Sequence, residues 1–179
     1  MGGSVEESEQ CASIENKILE LESFLEDVFC RSNSIIAFVG SPLRKDDRFG
    51  LVLYDEIGVS NPRIVRCEYG LENCLDEITV LKPDELIVVD AVYSSKHNAG
   101  DIVLLELMEY SDENTILSTH TIPTTVIINI LRNMGIKKIY LIGVAVKDIS
   151  LGLEISMEVS KAINELKIIL QNVIKKCLF

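Results

Sequence analysis

The sequence has no tryptophan, two histidines and four prolines, and none of its apolar runs reaches the length that spans a bilayer. A transmembrane helix is therefore not expected, and no basic, apolar, small-residue leader precedes the first periodic segment. Clusters of lysine or arginine are also missing, and the formal charge is −11. That balance disfavours nucleic acid and anionic membrane as partners, because both repel an acidic surface. The five cysteines, Cys11, Cys30, Cys67, Cys74 and Cys177, form no C-x-x-C pair. Read from spacing, they point to a reducing cytoplasm with buried or idle thiols and argue against a zinc knuckle or a disulfide frame. Neither G-x-G-x-x-G nor G-x-x-x-x-G-K-[ST] occurs, which removes the two phosphate-cradling loops recognisable from sequence.

What is present is a chain of 179 residues, 47% apolar and 25% charged, in which buried-strand patterns alternate with helical ones. Residues 1–12 read as a small, polar tail or a remnant of added sequence, and 13–179 as one domain. Ile35–Val39, Leu86–Val89 and Ile139–Val146 are continuous apolar runs, the signature of strands covered on both faces. Shorter strands are expected at Ile64–Glu68 and Ile102–Leu107. Helical spacing links Ile14, Ile18, Leu21, Leu25 and Val28, with Ser13 as a cap, and links Phe49, Val52, Leu53 and Ile57, with Gly58 as the stop. Leu71, Leu75 and Ile78 mark a short helix. Val126, Ile127, Ile130, Leu131 and Met134 mark another, ended by Gly135. Ser156 opens the last, with an inward stripe from Val159 through Ile174. The fold class is α/β, a three-layer α/β/α sandwich around a largely parallel sheet. The connection before Ile102 is too short for a helical crossover, so that strand is expected antiparallel at an edge, making the sheet mixed.

The stretch Ile35 to Gly50 organises the rest. A buried strand breaks at Gly40-Ser41-Pro42, and two acids, Asp46 and Asp47, stand just before a helix. Asp is common at helix starts, where it accepts unpaired amides, and that accounts for one acid more easily than for two. Carboxylates at the end of a central strand occupy the rim where open α/β sheets keep their ligands. Asp90 follows another buried strand, and His120 precedes a helix. Each has an ordinary reading too, as a turn acid or a solvated loop imidazole. Brought together, two carboxylates and one imidazole make an incomplete divalent-cation site, suited to nickel, zinc or iron more than to calcium or magnesium. His97, the other histidine, sits within a polar loop and is the weaker candidate.

These residues resemble a known family. Phe38-Val39-Gly40-Ser41-Pro42-Leu43-Arg44-Lys45-Asp46-Asp47-Arg48-Phe49-Gly50 is similar to the G-N-x-L-x-x-D-[DE]-G-x-G motif of hydrogenase maturation endopeptidases. Leu86 to Asp90, Ser118-Thr119-His120, and Ile139 to Val144 followed by Leu151 to Val159 resemble that family's later motifs, in the same order. The resemblance implies an endopeptidase of aspartyl type. Such an enzyme removes the C-terminal extension of a nickel-iron hydrogenase large-subunit precursor. Asp47, Asp90 and His120 would contact nickel carried by that precursor and serve catalysis. Ser41-Pro42 and Arg48 depart from the motif, the latter placing a cation where the family has glycine. Arg48 also motivates an alternative, a non-catalytic assembly or metal-delivery chaperone of the same fold.

Overall fold

A computed structural model describes residues 17–107, 117–118 and 124–178. The expectations attached to Cys11, Ser13, Ile14, the 109–115 loop, His120 and Pro123 lie outside the described residues. Helix α1 occupies residues 17–31, with a π-helical turn at Glu26–Cys30. It is followed by β1 (Ser34–Gly40), a 3₁₀ turn at Lys45–Arg48, α2 (Phe49–Ile57) and β2 (Ile64–Glu68). A 3₁₀ turn at Leu71–Cys74 leads to α3 (Leu75–Val80) and then β3 (Glu85–Tyr93). The chain continues through β4 (Ile102–Glu106), β5 (Leu117–Ser118), α4 (Thr124–Asn133), β6 (Lys138–Ala145) and α5 (Met157–Leu178).

The strand order is β2-β1-β3-β6-β4, with β5 paired to the end of β3. β2, β1, β3 and β6 run parallel, and β4 runs antiparallel to β6 at the edge, as the short connection required. Every residue of β1 is buried, and β3 and β6 each expose little beyond an end residue, matching their unbroken apolar runs. Alternate side chains feed two cores. Ile36, Phe38, Ile87, Val89 and Ile142 pack with α1, α2 and α5. Ile35, Val39, Leu86, Val88 and Leu141 pack with α3 and α4. The result is the expected three-layer arrangement.

The strand order also fixes a switch point. From β1 the chain crosses to β2 by α2 on one face, then returns to β3, on the other side of β1, by α3 on the opposite face. The carboxyl ends of β1 and β3 thus diverge into a crevice, the place where open α/β sheets bind ligands.

Three sequence expectations need correction. The strand Leu86–Asp90 continues to Tyr93, so Asp90 lies inside β3 and not at its end; Ala91 and Val92 are apolar and stay in the ladder with β6. In α4, Val126 and Met134 face solvent while Ile128 is buried. The inward face is therefore Ile127, Ile128 and Leu131, a stripe rotated from the one that spacing suggested. Finally, the cysteines are not idle thiols. Cys30 pairs with Cys177, and Cys67 with Cys74, with Cα–Cα separations of 4.8 and 5.6 Å, both ordinary for a bridge. The first pair spans 147 residues, a distance at which sequence carries no pairing signal. The two bridges also weaken the cysteine argument for a reducing compartment. None of the described helices is long and apolar enough to cross a membrane.

Candidate active site

The site begins with two glycines. A Cβ on Gly40 would stand 2.6 Å from the Asp47 carbonyl oxygen, and one on Gly50 would stand 2.1 Å from that of Val39. Both are closer than any side chain tolerates, so glycine lets the turn fold back on the strand and lets α2 lie directly on β1. The Ser41 amide then donates to the Asp47 carbonyl at 3.1 Å. The 3₁₀ turn bearing Asp47 is thereby held at the carboxyl end of β1, where it also packs against β3.

The two adjacent acids have separate roles in the fold. Asp46 is buried and binds Ser156 at the start of α5: the Ser156 amide donates to Oδ1 at 2.7 Å, and its hydroxyl donates to Oδ2 at 3.1 Å. Asp46 therefore anchors Ser156, whose hydroxyl accepts the Val159 amide at the start of α5, and does not cap the helix that follows it in sequence. Asp47, 1% exposed, lies on the same turn. Asp90, 7% exposed, lies in the neighbouring strand; its Oδ1 accepts the Ala91 amide at 2.8 Å. By strand alternation Asp90 shares a face with Leu86, Val88 and Val92, the side covered by α3 and α4. Both acids thus belong to the β1–β3 switch point. His120 lies outside the described residues. His97 is partly buried in the loop after β3, where Ser94 Oγ lies 2.9 Å from its Nδ1.

The loop after β6 closes over this rim. The Lys45 amide donates to the Gly152 carbonyl, the Gly152 amide to the Leu43 carbonyl, and the Asp46 amide to the Asp148 carbonyl, all at 3.0–3.1 Å. Lys45 Nζ meets Asp148 Oδ2 at 2.6 Å. That hydrogen bond, with further ones from Ser150, holds the Asp148 carboxyl below the usual carboxylate range and raises the Lys45 ammonium. Arg48, the cation that departs from the motif, donates from Nη1 to the Leu153 carbonyl. Its guanidinium serves as a clasp between the two loops. Sequence reading missed both this clasp and the Asp46–Ser156 link, because each joins residues more than a hundred positions apart. A cleft of about 310 Å³ beside the clasp is lined by Lys45, Asp46, Asp148, Glu154, Ile155 and Ser156.

Chemically, two nearly sealed carboxylates at one switch point can accept a proton, position a water molecule or supply oxygen ligands to a cation. Among the described residues no group of three or more His, Cys, Asp or Glu side chains forms a metal site.

Comparison with known proteins bears on the fold and the family. A family model described as HycI, hydrogenase maturation protease, matches residues 71–172. Among solved structures, the chain is similar to the [NiFe] hydrogenase maturation protease HycI from Thermococcus kodakarensis, with a TM-score of 0.70 and 24% identity over 85% of this chain and 99% of that one. It is also similar to the hydrogenase maturating endopeptidase HybD from E. coli, with a TM-score of 0.61 and 18% identity over 80% and 93%. The solution structure of the endopeptidase HycI from Escherichia coli gives 0.64 and 20% over 78% and 90%. No curated protein sequence matches. The likeness to these structures carries the fold. The family match, which extends over more than half of the chain, carries the class: this chain belongs to the hydrogenase maturation proteases, a family of peptidases.

Proposed function

We propose that this chain removes the C-terminal extension of a nickel-loaded nickel-iron hydrogenase large-subunit precursor, and that Asp47, Asp90 and His120 meet the nickel the precursor carries. The observation that carries the reading is the burial of Asp47 and Asp90 at one switch point, in a member of a maturation protease family. Solvated turn acids have no need of that position; acids that act on a bound group do.

The donor chemistry fits nickel that arrives with the substrate. Two carboxylates alone favour hard cations, and an imidazole shifts the preference toward nickel, zinc or iron. His120 is the imidazole nominated by sequence. Ser118, two residues before it, pairs with Val92, two residues after Asp90. An incomplete ligand set leaves room for donors from the precursor, and shared coordination would orient the extension against the two acids. In this reading Asp47 and Asp90 supply the oxygen ligands and the proton-accepting capacity of an aspartyl-type site. The chaperone alternative drew its support from Arg48, and the Arg48–Leu153 contact gives that residue a structural task instead.

The test is Asp90→Asn, which keeps the side-chain volume and the acceptor for the Ala91 amide. Incubated with nickel-loaded precursor and followed by mass spectrometry, the parent shortens the precursor and the variant leaves it intact, with unchanged circular dichroism. Full processing by Asp90→Asn would remove Asp90 from the mechanism and overturn the two-acid site. Tight binding by the parent without any shortening would favour the chaperone.

A further inference from the structure

Large apolar side chains are held out into solvent on the two loops that close over the switch point. Leu43, on the loop after β1, is 54% exposed; Leu151 and Leu153, on the loop after β6, are 80% and 61% exposed; Met157, at the start of α5, is 70% exposed. Scattered surface leucines need no explanation, but these are neighbours. Arg44 and Gly152 form a parallel β-bridge, and the Gly152 amide donates to the Leu43 carbonyl, so Leu43 stands beside Leu151 and Leu153 across a backbone seam. The seam is fastened by the Lys45–Asp148 pair, the Arg48–Leu153 contact and the double Asp46–Ser156 link. These leucines are therefore presented by a rigid support, and a partner that covers them pays little of the usual ordering cost.

The position of the seam identifies the occupant. β1 and β6 are the two neighbours of β3, the strand that carries Asp90. Loops that leave β1 and β6 and join each other necessarily border the end of β3. The patch thus shares the strand-end rim with the 3₁₀ turn that bears Asp47, and a protein substrate seated over that rim meets it. Exposed Arg44 and Lys147, with the Lys45–Asp148 pair, give it a polar margin around an apolar centre, the anatomy of a protein–protein contact. A second copy of this chain is a poor occupant. Two chains of net charge −11 would be brought together, and the crevice would be shut. An anionic membrane is disfavoured by the same charge.

We propose that Leu43, Leu151, Leu153 and Met157 form a dock for the folded body of the hydrogenase large-subunit precursor, setting its extension over Asp47 and Asp90. This rests on the processing reading above and adds the residues that determine which precursor is accepted. The dock acts in binding and takes no part in bond cleavage, so its loss raises KM and spares kcat.

The experiment pairs Leu151→Ser/Leu153→Ser with Ile168→Ser, a control on the outer face of α5 that is 62% exposed. The probe is purified nickel-loaded large-subunit precursor with its extension. Processing gives KM and kcat, and biolayer interferometry gives Kd, with each variant checked by its melting temperature. The double variant is expected to raise both KM and Kd by about tenfold or more, with kcat within about twofold of the parent and Ile168→Ser indistinguishable from it. Equal KM and Kd for parent and double variant would overturn the dock. Binding by the parent without processing would overturn the protease reading alone, and Kd would still judge the dock. If the parent neither binds nor processes the precursor, both proposals fall.

Discussion

Asp46 and Ser156 are joined twice: one carboxylate oxygen accepts the serine amide and the other accepts its hydroxyl. This is a capping arrangement made across 110 residues of sequence. Asp46→Ala leaves Ser156, whose hydroxyl accepts the Val159 amide at the start of α5, without its anchor, and the loop after β6 without one of its fastenings. Hydrogen bonds to a charged group contribute about 1.5–3 kcal/mol, so Asp46→Ala is expected to lose about 2–3 kcal/mol in urea denaturation, and Asp46→Asn about half that. A variant as stable as the parent would mean that the pair is incidental.

Gly50→Ala reverses an ordinary rule. Within an exposed helix the substitution stabilises by up to about 1 kcal/mol. Here the new methyl would stand 2.1 Å from the Val39 carbonyl and 3.1 Å from that of Val89. Overpacking of this kind costs about 1–3 kcal/mol. The expected result is a lower melting temperature together with weaker processing, since α2 must lift away from the strands that carry the acids. A gain in melting temperature would show that the helix has room to move.

The Cys30–Cys177 bridge joins α1 to the end of α5. Chain-entropy reasoning for a closed loop of this length gives about 5 kcal/mol as an upper figure, and measured bridges commonly give about 2–4. Cys30→Ser/Cys177→Ser is expected to lower the unfolding free energy within that range while leaving processing near the parental rate, because neither cysteine borders the switch point. Free thiols titrating at Cys30 and Cys177 in the native, non-reduced protein would contradict the bridge.

Lys45 and Asp148 set a pH signature. The Lys45 hydrogen bond, then those from Ser150, depress the Asp148 carboxyl. Its contribution is therefore complete above the ordinary value of about 4 and is lost as pH falls through the lower folded-state value. The Lys45 ammonium is raised, chiefly by the same hydrogen bond. Its contribution is complete below about 10.4 and is lost as pH rises through the higher value. Both groups face solvent, so the effect on global stability is small. Carboxyl carbon NMR is the direct measurement: Asp148 should titrate below the usual carboxylate range in the parent and at a higher pH in Lys45→Met, where only the Ser150 hydrogen bonds remain. An ordinary midpoint in the parent would show that the pair does not persist in solution.

The fold was legible because its central strands announce themselves. Ile35–Val39, Leu86–Val89 and Ile139–Val146 are apolar without interruption, and only a strand covered on both faces uses such a run. Gly58 and Gly135 stop their helices with positive φ, as their positions suggested. The sequence could not show what depends on tertiary register. The face of α4 toward the core was misread because Val126, Ile127, Ile128, Ile130 and Leu131 are all apolar, and spacing does not choose among the faces they offer. The cysteine pairs, the partner of Asp46 and the clasp at Arg48 each join segments that meet only after the sheet has formed. Asp47 and Asp90 were legible as candidates because carboxylates beside buried strands are conspicuous; that Asp46 anchors the Ser156 cap of α5 was invisible, since the two lie 110 residues apart.

The parallel bridge between Arg44 and Gly152 has a bearing on how this protein can diverge or be re-engineered. The two loops behave as halves of a single insert, severed in sequence and rejoined in space. A graft that carries only one half from a relative would arrive without its clasp, its cap acceptor and its seam. Retargeting to another precursor therefore calls for transplanting 41–48 and 148–156 together.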